Sequence, residues 1–168
     1  MRQISQLTIL LIMMLFNKAC GQKTFDEKLQ GLYKNTVPLV STETIKQKLT
    51  SEDSLYILDT RTTSEFAVSH IPGARLVEYE SYDASDFEDI PKDAEIVLYC
   101  SVGYRSERVG EKLQEMGYQH VSNLYGGIFQ WKNDGHEVVS PGGGATDSVH
   151  TYNRRWSKWL EKGTKVYE

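Results

Sequence analysis

The sequence predicts an α/β fold in which helices cover both faces of a central parallel sheet. Two compact runs rich in β-branched and aromatic residues, 55–58 and 95–99, have the length and continuous apolar character of buried strands. Segments with helical spacing follow each run, and such alternation is typical of parallel sheets because parallel strands need crossover connections. The length of 168 residues favours one domain with its own core.

The elements of the first half follow in chain order. Residues 25–36 carry apolar side chains at helix-like intervals, which indicates either a short amphipathic helix or a tether. Ser41, with apolar Ile45 and Leu49 after it, predicts a capped helix of about two turns. Between the two buried strands we expect a short helix over 63–68, a turn over 71–74 and a strand over 75–77.

The second half continues the alternation. A helix is predicted after the second buried strand, and it ends at Gly117, a residue type favoured just past a helix end. A strand over 120–124 and a last helical turn reaching Trp131 follow. Residues 140–145 contain a proline and three glycines and predict a flexible link. We expect residues 140–168 to form a C-terminal extension whose Trp156, Trp159 and Leu160 fold back onto the domain.

Composition excludes several classes of protein. The chain has 23 acidic and 19 basic side chains, a net charge of -4, so it lacks the basic character that nucleic-acid binding requires. Its two cysteines are too few for a disulfide framework. A monomer is favoured, although the sequence does not determine the oligomeric state.

The N-terminus has the layout of a signal peptide over residues 1–19. Arg2 precedes ten apolar residues, 7–16, which as a helix span about 15 Å and are too short for a bilayer core of roughly 30 Å. Cys20 follows the small Ala19, as in a bacterial lipoprotein processing site, although Asn17 departs from the usual aliphatic residue. We therefore predict a lipid anchor on Cys20, a tether over 20–36 and a location in the periplasmic cell envelope. A plain or uncleaved signal peptide is the alternative.

Cys100 directly follows the second buried strand and precedes an amphipathic helix. At the carboxyl edge of a parallel sheet, the loop amides and the positive helix end stabilise an anion, and Arg105 adds a fixed charge. These neighbours favour a nucleophilic thiolate. A buried cysteine that only ends a strand is the other reading.

Several short motifs together resemble the rhodanese family. They occur over residues 37–139 in the family's usual order, and they are Leu58-Asp59-Thr60-Arg61, Glu65-Phe66, His70-Ile71-Pro72-Gly73-Ala74, the loop from Cys100 to Ser106, Gly117-Tyr118, and Gly126-Gly127-Ile128 with Trp131. The resemblance implies a three-layer fold with about five parallel strands. It also implies a sulfurtransferase in which Cys100 takes a sulfane sulfur from a small-molecule donor such as thiosulfate and passes it to a thiol or cyanide, without metal or organic cofactor.

The remaining site residues have supporting roles in this reading. The loop residues Ser101, Val102, Gly103, Tyr104, Arg105 and Ser106 would bind substrate. Arg105 would hold the sulfonate end of a donor, or else pair with Glu107 or another acid, and Ser106 would first cap the helix. Support of the site is expected from Asp59, Arg61, His70, Gly126 and Gly127. His150 or Tyr152 could roof the pocket, with simple packing as the alternative.

Three other functions remain open at this stage. A low-pKa cysteine outside the cytoplasm could carry persulfide or respond to oxidants without turnover. The fold could serve as a recognition module, which an intact Cys100 and Arg105 disfavour. Phosphatase activity is disfavoured because only four residues separate Cys100 from Arg105, one fewer than in related phosphatases.

Overall fold

A computed structural model describes residues 24–51 and 54–167, so the predicted signal peptide and Cys20 lie outside the described residues. The central sheet contains β1 (Leu39–Val40), β2 (Leu55–Asp59), β3 (Ala74–Leu76), β4 (Glu95–Tyr99) and β5 (His120–Leu124). Neighbouring strands all run parallel in the order β1-β5-β4-β2-β3. This arrangement confirms the predicted parallel α/β sheet.

Five α-helices are described around the sheet. They are α1 (Phe25–Gln30), α2 (Thr42–Thr50), α3 (Thr63–Val68), α4 (Tyr104–Glu115) and α5 (Gly127–Asn133), and two 3₁₀ turns occur at Ala84–Phe87 and Ser157–Trp159. The predicted cap of α2 is present, since the Ser41 hydroxyl accepts the N–H of Thr44 at 3.2 Å. In the part of the chain that is described, no helix has the length and apolar character needed to cross a membrane.

Two apolar cores lie on opposite faces of the sheet. Successive side chains of a strand point to opposite faces, so Val97 and Tyr99 of β4 enter one core while Ile96 and Leu98 enter the other. The first core is completed by side chains of α1, α2 and α5, and the second by those of α4 and the first 3₁₀ turn. The result is the three-layer architecture expected from the sequence.

The segment before the sheet packs against the domain. Of the two readings of residues 25–36, the structure has the helix over Phe25–Gln30 only, with a capping box formed by Thr24 and Glu27. Leu29 and Tyr33 are buried in the first core. The description of residues 20–36 as a tether is therefore wrong for residues 24–36, because apolar burial fixes them to the sheet layers.

The C-terminal extension begins with a hairpin. Of residues 140–145, predicted as a flexible link, residues 140–144 instead turn between the antiparallel strands β6 (Val138–Val139) and β7 (Ala145–Thr146). The turn is closed by the Ser140 N–H, which donates to the Gly144 carbonyl at 2.9 Å, and Gly143 takes a positive φ of 80°. The prediction of a flexible link is wrong because glycine here serves a tight turn.

The rest of the extension lies on the domain. β8 (Ser148–His150) and β9 (Thr164–Val166) pair in parallel as a separate two-stranded sheet. Leu160 is fully buried, and Trp156 and Trp159 are partly buried against the first core. The Trp159 ring stacks on Phe25 at a centroid distance of 5.6 Å. These three side chains therefore fold back as predicted.

Candidate active site

The site lies where the order of the sheet reverses. From β2 the chain moves to β3 on one side, and from β4 it moves to β5 on the other, so the loops after β2 and β4 diverge. Such a divergence opens a crevice at the carboxyl ends of the strands, where α/β proteins bind ligands. Asp59 and Tyr99 are the paired last residues of the two strands, and Cys100 directly follows Tyr99.

Cys100 lies at the floor of a cavity of about 410 Å³. Its side chain is largely buried, with 2% of the residue exposed. The Gly103 N–H donates to Cys100 Sγ at 3.1 Å, because Gly103 has a left-handed φ of 91° that turns the loop back over the sulfur. Gly103 is also the N-cap of α4, so the free amides and positive end of that helix face this loop.

Helix α5 holds the loop from behind. The N–H of Ile128 donates to the Cys100 carbonyl at 2.9 Å, and that of Phe129 donates to the Ser101 carbonyl at 3.2 Å. Gly127, with a φ of 57°, permits this approach, since an added Cβ would lie 2.3 Å from the Cys100 carbonyl oxygen. The loop backbone is thereby fixed on the side away from the cavity.

Tyr33 holds the loop from the N-terminal segment, a contact that the sequence analysis missed. Its hydroxyl donates to the Val102 carbonyl at 2.7 Å and accepts the Gly126 N–H at 2.9 Å. A Cβ on Gly103 would lie 2.4 Å from the same hydroxyl, so ring and loop fit closely. Burial raises the pKa of Tyr33 well above its ordinary value, which keeps the hydroxyl protonated as a donor.

Asn123, at the end of β5, is a second missed residue. Its amide donates to the Gly103 carbonyl at 2.9 Å, and its carbonyl accepts the Ser106 hydroxyl at 2.8 Å. The assignment of Ser106 as the cap of α4 is therefore wrong, because Gly103 is the N-cap and no side chain caps this helix. Ser106 instead braces the loop through Asn123 and is fully buried.

Arg105 pairs with Glu65, a buried residue of α3. Two guanidinium nitrogens donate to the two carboxylate oxygens at 2.8 Å each, and Ser101 Oγ donates to the same carboxylate at 2.9 Å. Glu65 is 1% exposed and burial alone would raise its pKa, but Arg105, the Thr62 N–H and Arg61 together outweigh burial and lower the pKa to about 2. Glu107, the acid named in the sequence analysis, pairs with Arg108 instead.

Asp59 and Arg61 form a buried ion pair behind the site. The guanidinium donates to Asp59 at 2.7 Å and to the Ser69 carbonyl at 2.6 Å, and it lies 5.7 Å from the centre of the Tyr99 ring. Neither residue lines the cavity. The pair joins the loop after β2 to the end of α3 and to β4, which is a structural role.

His70 lies away from the cavity as well. Its Nδ1 is 3.2 Å from the Phe66 carbonyl, its ring stacks on Phe66, and its backbone pairs with Val139. These contacts fix the turn before β3. The structure gives His70 no contact with the Cys100 sulfur.

Four aromatic side chains line the cavity. Tyr79, Tyr104, Tyr152 and Trp156 line it together with Leu32 and Val102. Tyr152 lies in the C-terminal extension, and its ring centre is 5.6 Å from the Arg105 guanidinium carbon. His150, the other candidate for the roof, is buried and does not line the cavity.

Comparison with known proteins shows the family of the chain. The rhodanese-like domain family matches residues 41–134, more than half of the chain. A sulfurtransferase of Allochromatium vinosum is 34% identical over 104 residues, which cover 62% of this chain and 96% of that protein. A putative sulfur carrier protein of Bacillus subtilis is 32% identical over 58% of this chain, and the match spans about half of that protein, 52%.

A solved structure agrees with these sequence matches. The solution structure of the rhodanese-like domain from an Anabaena protein superposes with a TM-score of 0.57 at 27% identity, covering 61% of this chain and 79% of that one. The family match ends before the extension that carries Tyr152 and begins after Tyr33. The chain belongs to the rhodanese-like domain family and is a homologue of sulfurtransferases.

Proposed function

We propose that the protein transfers a sulfane sulfur from thiosulfate or a related donor to a thiophilic acceptor through a persulfide on Cys100. The observation that supports this most directly is the Gly103 N–H directed at Cys100 Sγ, 3.1 Å away, at the floor of an open cavity. An amide donor stabilises a sulfur anion, and the anion is the nucleophilic form.

The reaction takes two displacements. The Cys100 thiolate attacks the outer sulfur of the donor, the donor S–S bond breaks, and its electron pair leaves with sulfite when the donor is thiosulfate. An acceptor thiolate or cyanide then attacks the outer sulfur of the Cys100 persulfide, and the thiolate of Cys100 leaves with the electron pair of the broken S–S bond. The loop amides stabilise the anionic sulfur before and after each step.

The contacts behind the loop suit this chemistry. Tyr33, Asn123 and the start of α5 each bond a different loop carbonyl, so the loop amides have a fixed direction before the donor arrives. Fixed donors need no reorganisation during the reaction, which is the main source of electrostatic catalysis. A loop with four residues between Cys100 and Arg105 suits one sulfur rather than a phosphoryl group.

The experiment that tests this proposal uses a protein with a single thiol. The chain has two cysteines, so Cys20→Ser leaves Cys100 as the only one. Cys20→Ser protein is expected to release thiocyanate from thiosulfate and cyanide, and to become heavier by one sulfur atom when given donor alone. Adding Cys100→Ser should abolish both results, and a double variant that remains active contradicts the proposal.

A persulfide carrier without turnover is the second candidate, favoured by the similarity to a putative sulfur carrier protein. The same two measurements separate the candidates. A stable mass increase on Cys100 with negligible thiocyanate release supports the carrier, whereas repeated turnover supports the enzyme.

We also propose that the protein works in the cell envelope, anchored by a lipid on Cys20. The support is the layout of residues 1–20 in the sequence. A radiolabelled fatty acid should be incorporated into wild type and not into Cys20→Ser, and the variant should leave the membrane fraction. Equal labelling of both proteins contradicts the anchor.

A further inference from the structure

The charge of the cavity limits the donors that it can hold. Among the described residues that line it, Arg105 is the only cation, and both of its terminal nitrogens already donate to Glu65. Glu80 adds a negative charge at the wall, and the reacting Cys100 thiolate adds another. An inorganic dianion such as thiosulfate therefore finds no unpaired cationic side chain among these residues, and a donor with one negative charge is repelled less by Glu80 and the thiolate.

The apolar part of the cavity wall can bind an apolar group of a donor. Four aromatic side chains and two aliphatic ones form most of the wall, and Tyr104 and Tyr152 remain 43% and 53% exposed. Large exposed aromatic rings that converge on a reactive atom are typical of sites that bind an apolar ligand group. An apolar group on the donor would remove these rings from water.

Tyr152 is held in an unusual conformation over this wall. Its φ is 63°, a left-handed value that is costly for a bulky residue. The conformation is stabilised by the Tyr152 N–H, which donates to Nδ1 of the buried His150 at 3.2 Å, and by the Thr151 N–H, which donates to the Val166 carbonyl at 3.0 Å. Both neighbours are buried, so the backbone is fixed where the ring meets Arg105.

We propose that the preferred donor is an organic sulfane-sulfur compound with an apolar, preferably aromatic, group and no more than one negative charge, and that Tyr152 is a specificity-determining residue for that group. This inference rests on the proposed transfer through Cys100. It concerns a residue outside the range that matches the family, 41–134.

An aryl thiosulfonate illustrates the step. The Cys100 thiolate attacks the terminal sulfur, the bond between the two donor sulfurs breaks, and the electron pair leaves with the aryl sulfinate. One negative charge remains on the Cys100 persulfide and one on the sulfinate, equal to the two charges at the start. The aryl ring lies against Tyr152 and its aromatic neighbours during the attack.

The test compares benzenethiosulfonate with methanethiosulfonate, which carry the same charge and release the same kind of leaving group. Each kcat/KM, from thiocyanate release, is divided by the rate of the same donor with a free thiol and cyanide. We expect the corrected value for benzenethiosulfonate to exceed that for methanethiosulfonate by at least about tenfold. Thiosulfate should give a lower value than either.

A pair of variants assigns the preference to Tyr152. Tyr152→Asn removes the ring, and asparagine tolerates the left-handed backbone conformation at this position. We expect this substitution to reduce the ratio of the corrected kcat/KM for benzenethiosulfonate to that for methanethiosulfonate by roughly two- to tenfold. Tyr167→Asn is the matched control, because Tyr167 also lies under an arginine, at 4.9 Å, but does not line the cavity. Its ratio should equal that of wild type.

The outcomes separate this inference from the proposed function. Turnover of thiosulfate that depends on Cys100 but exceeds turnover of both organic donors overturns the donor preference alone. An unchanged ratio in Tyr152→Asn overturns the role of Tyr152. No turnover of any donor by wild type, or equal turnover after Cys100→Ser, overturns the sulfur transfer itself.

Discussion

Replacing Glu65 by glutamine tests how strongly the Arg105–Glu65 pair stabilises the fold and the loop. The substitution keeps the size of the side chain but removes the charge that faces Arg105. In the native protein the two carboxylate oxygens each accept from the guanidinium at 2.8 Å. In glutamine one of these oxygens is replaced by an NH₂ group, which cannot accept a hydrogen bond from the guanidinium. Arg105 is 16% exposed through the cavity, so water compensates only part of the loss.

Two independent arguments give a similar magnitude. Lowering the pKa of Glu65 from 4.5 to about 2 corresponds to about 3 kcal/mol of folding free energy, at about 1.4 kcal/mol per pKa unit. Removing one partner of a buried ion pair typically costs about 3–5 kcal/mol, and partial hydration of Arg105 favours the low end. We therefore expect Glu65→Gln to lower the free energy of unfolding by about 3 kcal/mol at neutral pH.

The assay is urea denaturation of both proteins over a range of pH. Because the pKa of Glu65 is lower in the folded state, its contribution is complete above about pH 4.5 and declines as the pH falls towards 2. The difference between the proteins should therefore shrink to roughly half by about pH 3. Asp89→Asn is the control, since Asp89 also pairs with an arginine, Arg75, but on the surface, where water screens the pair.

The reasoning fails if Glu65→Gln is as stable as wild type at neutral pH. It also fails if the difference between the two proteins is the same at about pH 3 as at pH 7. A loss in Asp89→Asn as large as that in Glu65→Gln would show that burial is not the reason for the effect.

Two further changes test the contacts that fix the loop. In thermal unfolding, Gly127→Ala should reduce the free energy of unfolding by at least about 2 kcal/mol more than Gly117→Ala does. Both glycines have a positive φ, but only Gly127 lies against the Cys100 carbonyl, so equal losses would contradict the close fit. Tyr33→Phe leaves the Val102 carbonyl without its tyrosine donor and should cost about 1–3 kcal/mol in urea denaturation, and an unchanged midpoint would argue against that contact.

The sequence predicted those parts of the fold that depend on local pattern. The two apolar runs at 55–58 and 95–99 are strands at Leu55–Asp59 and Glu95–Tyr99, because an apolar run is complete within a few residues. The strand over residues 120–124 and the helix over 63–68 also have the predicted bounds. The position of Cys100 at the edge of the central sheet also followed from the strand before it and the helix after it.

The contacts around the loop could not be predicted from local sequence patterns. Glu65 belonged to a family motif, but its partner Arg105 lies 40 positions away, and only the fold brings α3 to the loop. Tyr33 and Asn123 bond the loop across 69 and 20 positions, with no spacing that distinguishes them from other polar side chains. Ser106 was misassigned because a serine at a helix start resembles a cap, whereas the left-handed Gly103 already begins the helix.

Among the strands that the structure describes, β8 and β9 pair only with each other, so the segment that carries Tyr152 is joined to the domain by side-chain packing rather than through the central sheet. Val149 and Leu160 are fully buried in the first core and are not free to vary, whereas substitutions at exposed positions such as Tyr152 leave the register of the strands that position Cys100 unchanged. The preferred donor can therefore change through an exposed position of a short terminal segment, while the loop around Cys100 keeps its geometry.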